Sequence, residues 1–417
     1  MSKLAIKGGK KIVNRKYQLF IHPKLNSRFL KKMYDKTFQS QVSSFDGEGL
    51  INQLQLLFEK KFHVKHALAM NSGTSALFSM FYAVGLEPGD EVIVPVYTFF
   101  ATATPLFILG CKPVLVDSLA NGNINPDDIR KKITRKTRTI VITHMWGIPC
   151  DMDEIMDIAE KYKLPVLEDT SHAHGATYKG KVAGTFGLCS AWSLGAKKLI
   201  TGGQGGMLGT ADEEVYQRAI LVGQANNKII KEVTLENLKP YFVTGTGLNL
   251  RMHPFSAALI YDQIKNYEKQ LRERREVAAY LIKEISQIPG LSLPRIPKNS
   301  SPSWYAFPIL FNQEYFDEIS KDLFVKALNT EGAAGFDIPH STCPLTEFPI
   351  FREAKFNFKR LHNLKEIYRK EEFIVAETFH KSLFKLPTWY GPERMNYAKA
   401  HIEALRKVIA NIRELKN

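Results

Sequence analysis

The chain has 417 residues, 44% of them hydrophobic and 24% charged, the profile of an ordinary globular protein with room for two domains. Its net charge of +15 comes from 57 Lys and Arg against 42 Asp and Glu, but the densest basic runs, LRERREVAAYLIKE and FREAKFNFKRLHNLKEIYRKEE, interleave acids and read as solvated helix faces rather than a nucleic-acid stripe, so the charge is better matched to an anionic small molecule. No apolar run approaches the roughly 18 residues of a membrane span, the opening MSKLAIKGGKK lacks a secretion signal's apolar core, and Cys111, Cys150, Cys189 and Cys343 show no metal or disulfide spacing; a cytoplasmic protein with reduced thiols, no metal, no nucleic acid and no membrane partner is expected.

Residues 1–45 have little periodicity and read as an N-terminal arm packed on a partner subunit. Residues 71–77, NSGTSAL, precede the apolar run FSMFYAVG, as at a helix N-terminus, where free N–H groups and the positive dipole end point outward. Such an end binds phosphate, and Gly73 lets the backbone approach closely, although an ordinary N-cap has the same look. EVIVPVYTF, KPVLVDS, TRTIVITHMWG and LPVLEDT then alternate with amphipathic segments such as DMDEIMDIAEKYK. Continuous apolar strands separated by helices predict a mainly parallel sheet covered on both faces.

The stretch VLEDTSHAHGA, residues 166–176, ends a buried strand in two acids, Glu168 and Asp169, followed by Ser171, His172 and His174. Ligands of open α/β sheets sit at the carboxyl ends of strands, so an acid there is placed for function. A metal held by Asp169, His172 and His174 is conceivable, but no further His/Cys cluster supports it. Next, WSLGAKKLITGGQGG, residues 192–206, carries Lys197 and Lys198 on a turn after a strand and before a glycine-rich loop. A strand-end carboxylate, a lysine on a turn and a phosphate-binding helix start together fit pyridoxal phosphate (PLP). Its aldehyde forms a Schiff base with a lysine, and a carboxylate keeps its ring nitrogen protonated. From YDQIKNYEKQLRERREVAAYLIKEISQI the texture becomes one long amphipathic helix, then a Pro/Ser loop and a smaller α+β region. The expected division is an arm over 1–45, a large cofactor-binding domain over 46–265 and a small C-terminal domain over 266–417.

The segments EKKFHVKHALAMNSGTSAL, GDEVIVPVYTFFATATPLFILGCKPVLVD, THMWGIPCDMDEI, LEDTSHAHGATYKGKVAGTFG and GLNLRMHPFSAAL, with the opening LAIKGG, follow one another along the chain. In order and spacing they resemble the DegT/DnrJ/EryC1/StrS aminotransferases, PLP enzymes of fold type I, and in particular the StrS-like branch. The resemblance implies an α/β fold with a mainly parallel central sheet and a smaller α+β C-terminal domain. It also implies transfer of an amino group from Glu or Gln to a keto-sugar, possibly nucleotide-linked, or a keto-cyclitol. Anchored on Ser193 and Gly205-Gly206, the family's lysine falls on Lys198, with Lys197 as its neighbour. Asp169 would pair with the pyridine nitrogen and Phe99 would stack on the ring. Gly73, Thr74, Ser75 and Ser193 would hold the phosphate, and His172 would contact the ring-hydroxyl side. Asn249 and Arg251 would reach the neighbouring subunit's site, which implies a homodimer with shared active sites. Gln204, Thr170 and the GAK at 195–197 depart from common family residues and leave the substrate open. Some members of the family with His at the lysine position are dehydratases, so Lys198 favours transamination; a PLP-dependent dehydratase and a non-catalytic PLP-binding regulator are the alternatives.

Overall fold

A computed structural model describes residues 3–13, 27–39, 49–352 and 368–416. Its centre is a seven-stranded sheet. In spatial order the strands are His66–Met70, Gly206–Thr210, Cys189–Ser193, Val166–Asp169, Thr137–Thr143, Glu91–Pro95 and Lys112–Val116. Gly206–Thr210 runs antiparallel to both neighbours, and the remaining pairs are parallel. The runs read as buried strands are buried: every residue of Glu91–Pro95 and of Val166–Asp169 is shielded from solvent. Helices on both faces are needed for that, among them Gly73–Ala83 and Met152–Tyr162.

The helix Pro254–Ile285 is 32 residues long and starts with proline at its first turn, after the N-cap His253. Its buried positions recur at helical spacing but serve two cores. Ile260, Ile264, Tyr267 and Leu271 pack with Phe58, Phe62 and Trp192 beneath the large sheet. Val277, Ala278, Leu281 and Ile285 pack with Phe307, Phe324 and Phe384 of a second core. That second core contains the antiparallel sheet of Leu291–Ser292, Phe307–Phe311 and Leu383–Leu386. The expected boundary at residue 265 therefore falls inside a continuous helix. The C-terminal region also sends a segment back: Thr342–Pro344 pairs antiparallel with Tyr97–Phe99, and Leu345, Phe351, Phe373 and Phe379 join the large-sheet core. No helix among the described residues is long and apolar enough to cross a membrane.

The N-terminal arm expected on a partner subunit docks, in its described first part, on its own chain. Leu4 and Val13 are buried in the second core. Buried Glu331 accepts the N–H groups of Ala5 (2.7 Å) and Ile12 (3.2 Å) and pairs with Lys407 at 2.7 Å. Gly332, at φ +90°, is required here, because a Cβ would lie 2.0 Å from the Val13 carbonyl oxygen. Apolar residues spaced too irregularly to show a period supply this contact, so periodicity could not reveal it. The rest of the expected arm, 14–26 and 40–45, lies outside the described residues, and the helix Ser27–Gln39 between them lies against the long helix, where Lys32 and Lys36 reach Asp262.

Candidate active site

Asp169 ends its strand in register with Thr143 and Ala191 of the flanking strands. It is 3% exposed, and its carboxylate accepts from Thr102 Oγ1 (2.7 Å) and the Ser171 N–H (3.1 Å). Successive strand residues face opposite sides, so the adjacent acid has another role. Glu168 accepts the N–H groups of Gly184, Phe186 and Gly187 at 2.6, 2.7 and 2.6 Å and meets His144 Nε2 at 3.0 Å. Because His144 Nδ1 accepts the Cys150 N–H at 3.0 Å, the neutral ring carries its proton on Nε2 and donates it to Glu168. Glu168 thus ties loops together, and Asp169 is the acid of the site.

The helix Gly73–Ala83 is capped by Ser72, whose Oγ accepts the Ser75 N–H at 3.0 Å. Ser75 Oγ donates to Asn71 Oδ1 at 2.6 Å, while Thr74 is exposed. The N–H groups of Gly73 and Thr74 have no intrahelical acceptor. A Cβ on Gly73 would lie 2.6 Å from Ser193 Cβ, so glycine alone lets the helix start touch Ser193. Two first-turn N–H groups and the Thr74 and Ser193 hydroxyls thereby share one end of the sheet, a donor set suited to phosphate.

Past Ser193 the chain turns, and the Lys198 N–H closes that turn on the Gly195 carbonyl at 3.0 Å. Lys198 is partly buried, whereas Lys197 is exposed. Burial pushes the Lys198 amine down to about 8 from 10.5, with the charge of Asp169 opposing the shift. The amine lies 4.6 Å from the centre of the Tyr305 ring. Tyr305 stacks flat on His172, with centroids 3.9 Å apart and planes at 7°, and Trp146 lies parallel to His172 at 5.7 Å. His172 is held well below its ordinary value, first by burial and then by the Lys198 charge, so its imidazole is neutral, and its buried Nδ1 has no hydrogen-bond partner. His174 is buried close by, edge-on to Phe62, and is lowered to about 3, first by burial and then by the Lys198 charge.

Phe99 is partly buried, in register with Thr342 and against Phe100 at 4.2 Å. Asn249 and Arg251 lie beside the phosphate-type turn of their own chain: the Asn71 N–H donates to the Leu250 carbonyl at 2.8 Å, and Arg251 Nε donates to Asn249 Oδ1 at 2.8 Å. A cavity of about 410 Å³ opens on the Tyr305 side of Lys198 and extends to Arg274, Asp337 and Lys385, leaving Asp169 and the Ser72–Ser75 turn outside its lining. The residues present fit PLP: a lysine with a lowered amine, a fixed carboxylate, an unpartnered neutral His172 nitrogen and a phosphate-type cradle at one end of the sheet. Thr102, Trp146, Tyr305 and Arg274 escaped the sequence reading. Thr102 and Trp146 lie inside segments that carry the family resemblance but were not singled out within them, Tyr305 and Arg274 lie outside those segments, and only the fold brings Thr102 to Asp169 and Trp146 and Tyr305 to His172.

The profile of the DegT/DnrJ/EryC1/StrS aminotransferase family matches residues 28–391. The chain is 30% identical to a GDP-perosamine synthase of Caulobacter vibrioides over 76% of its own length and 82% of that protein. It is 27% identical to the L-glutamine:scyllo-inosose aminotransferase of Streptomyces griseus over 99% of both. Among solved structures, an aminotransferase from Psychrobacter cryohalolentis superimposes with a TM-score of 0.81 at 27% identity, covering 95% of this chain and 100% of that one.

Proposed function

Since the chain belongs to the DegT/DnrJ/EryC1/StrS aminotransferase family and is a PLP-dependent aminotransferase of fold type I, we propose that it moves the amino group of glutamine or glutamate onto a keto-sugar or keto-cyclitol. The relatives that act on a GDP-sugar and on scyllo-inosose support that substrate class. The observation carrying the site assignment is Lys198, an amine drawn out of water into a ring stack and lowered to about 8.

When bound, PLP supplies an electron sink for the pair released as the substrate C–H bond breaks. Lys198 would hold the cofactor through its amine and would move the substrate's proton as general base and then acid; an amine near 8 exchanges protons readily at neutral pH. Asp169, fixed by Thr102 and the Ser171 N–H, keeps the ring nitrogen charged. Gly73, Thr74, Ser75 and Ser193 would bind the phosphate, Phe99 would stack on the ring, and neutral His172 would contact the ring-hydroxyl side. Asn249 and Arg251 serve the site of a second subunit in a homodimer. Exposed apolar residues such as Ile108, Tyr241, Val243 and Leu248 support such an interface. The enzyme works in the cytoplasm.

The test is to incubate purified protein with PLP, glutamine or glutamate and a panel of keto-sugars and keto-cyclitols. A 2-oxo acid formed in step with an aminated product is expected. A deoxygenated product without amination would instead make the protein a dehydratase, and no turnover with any acceptor would leave a PLP-binding protein of another kind.

A further inference from the structure

Two tryptophans hold backbone conformations that residues with side chains rarely adopt: Trp146 and Trp304 both sit at φ +56°. Such residues persist only where their surroundings over-determine them, and these two lie in segments bonded to each other. The Ser303 N–H donates to the Gly147 carbonyl at 3.0 Å, and Ser303 Oγ donates to the His172 carbonyl at 2.9 Å. Trp304 and Phe307 are buried in the second core, whereas Tyr305 between them packs against the cores of the large sheet. The left-handed turn at Trp304 thus sends one ring across the seam between the cores. That ring lies flat on His172, at 3.9 Å and 7°, with Trp146 parallel to it at 6.3 Å and 16°. Its plane is fixed by these partners, and the Lys198 Nζ stands over it at 4.6 Å.

Building on the aminotransferase reading, we propose that Tyr305 is a positioning residue of the reaction: its ring steers the Lys198 amine and strengthens that amine's hold on a proton whenever the amine is free. The face of an aromatic ring is electron-rich and attracts an ammonium far more than a neutral amine. The ring therefore opposes the burial that lowers Lys198, as the charge of Asp169 also does. The other groups near the amine leave the ring this task. His172 and His174 are kept neutral, first by burial and then by the Lys198 charge, so neither offers a counter-charge. Lys197 is exposed, and Asp337 and Lys385, which line the same cavity, pair with each other. The Tyr305 hydroxyl is pushed up to about 12, first by burial and then by the Asp337 charge, so it stays protonated and the residue acts through its ring. Because the chain on both sides of Tyr305 belongs to the second core, the proton affinity of the reacting amine depends on how that core is seated on the large sheet.

The readout is the pH at which PLP capture by the cofactor-free full chain levels off, since only the neutral amine reacts. Tyr305→Leu keeps an apolar wall but no ring, so the levelling-off pH should fall by roughly 0.4 to 1.5 units. Tyr305→Phe, which keeps the ring, should match wild type. The sign separates this role from simple shielding. If Tyr305 merely kept water away, Tyr305→Leu would admit water and the levelling-off pH would rise toward 10.5. A rise, no shift, or an equal fall in Tyr305→Phe each overturns the proposal. If Tyr305→Leu does not fold, Tyr305→pentafluorophenylalanine decides, because fluorination keeps the ring's shape and strips its face of negative charge: a fall supports the proposal, and an unchanged or raised value overturns it. An enzyme that captures PLP on Lys198 and transaminates, with a capture profile indifferent to position 305, refutes this inference alone. A protein that takes up no PLP refutes the reading beneath it and this inference with it.

Discussion

Two adjacent lysines and two adjacent acids stand at the site, and in each pair local geometry separates the roles. Lys198 is drawn against Tyr305 while Lys197 stays exposed. Borohydride reduction of the PLP-loaded protein and peptide mapping should therefore place the pyridoxyl group on Lys198; finding it on Lys197 removes the assignment. Only a neutral amine attacks an aldehyde. With Lys198 lowered from 10.5 to about 8, PLP capture by the cofactor-free protein should quicken up to about pH 8 and level off above it. Stopped-flow rates still climbing at pH 10 would contradict a lowered amine. The stability effect has a definite sign. Between about 8 and 10.5 the unfolded chain binds the extra proton, so stability contributed by this group rises with pH through that window, and the cost of burying the charge stands in full below it. Asp169→Asn should keep the fold and lose the half-reaction with donor by orders of magnitude. Glu168→Ala, which strips three N–H groups and His144 of their acceptor, should cost about 3 kcal/mol in chemical denaturation. The sequence announced both acids and both lysines because strand ends and turns have local signatures. Tyr305 was illegible because its role exists only where it stacks on His172 from a remote loop, just ahead of the strand Phe307–Phe311.

At the level of elements, the parallel strands and the long helix were readable, since burial on both faces and helical period leave marks in composition. The pairing of Thr342–Pro344 with Tyr97–Phe99 was not, since a three-residue strand has no period to detect and its partner is remote. The same holds for the docked N-terminal segment. Its anchor is buried Glu331, balanced by Lys407 and two backbone N–H groups. Glu331→Ala leaves Lys407 without its acid, and Lys407 is itself 8% exposed at the side chain. The expected loss is about 3 kcal/mol, with residues 3–13 becoming the first site of limited proteolysis. A variant as protease-resistant as wild type would show that Leu4 and Val13 hold the segment without Glu331.

For the whole molecule, the open question is which chain completes each site. Asn249 and Arg251 bond to each other at the surface, next to a run of exposed apolar residues that includes Val243 at 75% and Leu248 at 44%. If these residues serve a neighbour, Lys198→Ala and Asn249→Ala should partly restore activity when co-expressed, because a mixed dimer carries one site with both lesions and one with neither. No gain in proven mixed dimers assigns Asn249 to its own chain. The docked N-terminal segment bears on how such a molecule is made. The Leu4 N–H is held by Glu414 at 3.0 Å and the Lys10 carbonyl by Lys407 at 2.7 Å, contacts that span 410 and 397 positions, so this segment waits for partners translated long after it. The large sheet can close while translation continues, since domains form as their chain emerges, but the segment over 3–13, although Glu331 offers it a first anchor, is not fully docked until the helix Arg394–Ala410 and Glu414 have been synthesised. Nascent chains stalled before Arg394 should protect the central sheet from protease and leave the segment over 3–13 more open to it, making its protection a clock for the synthesis of that helix.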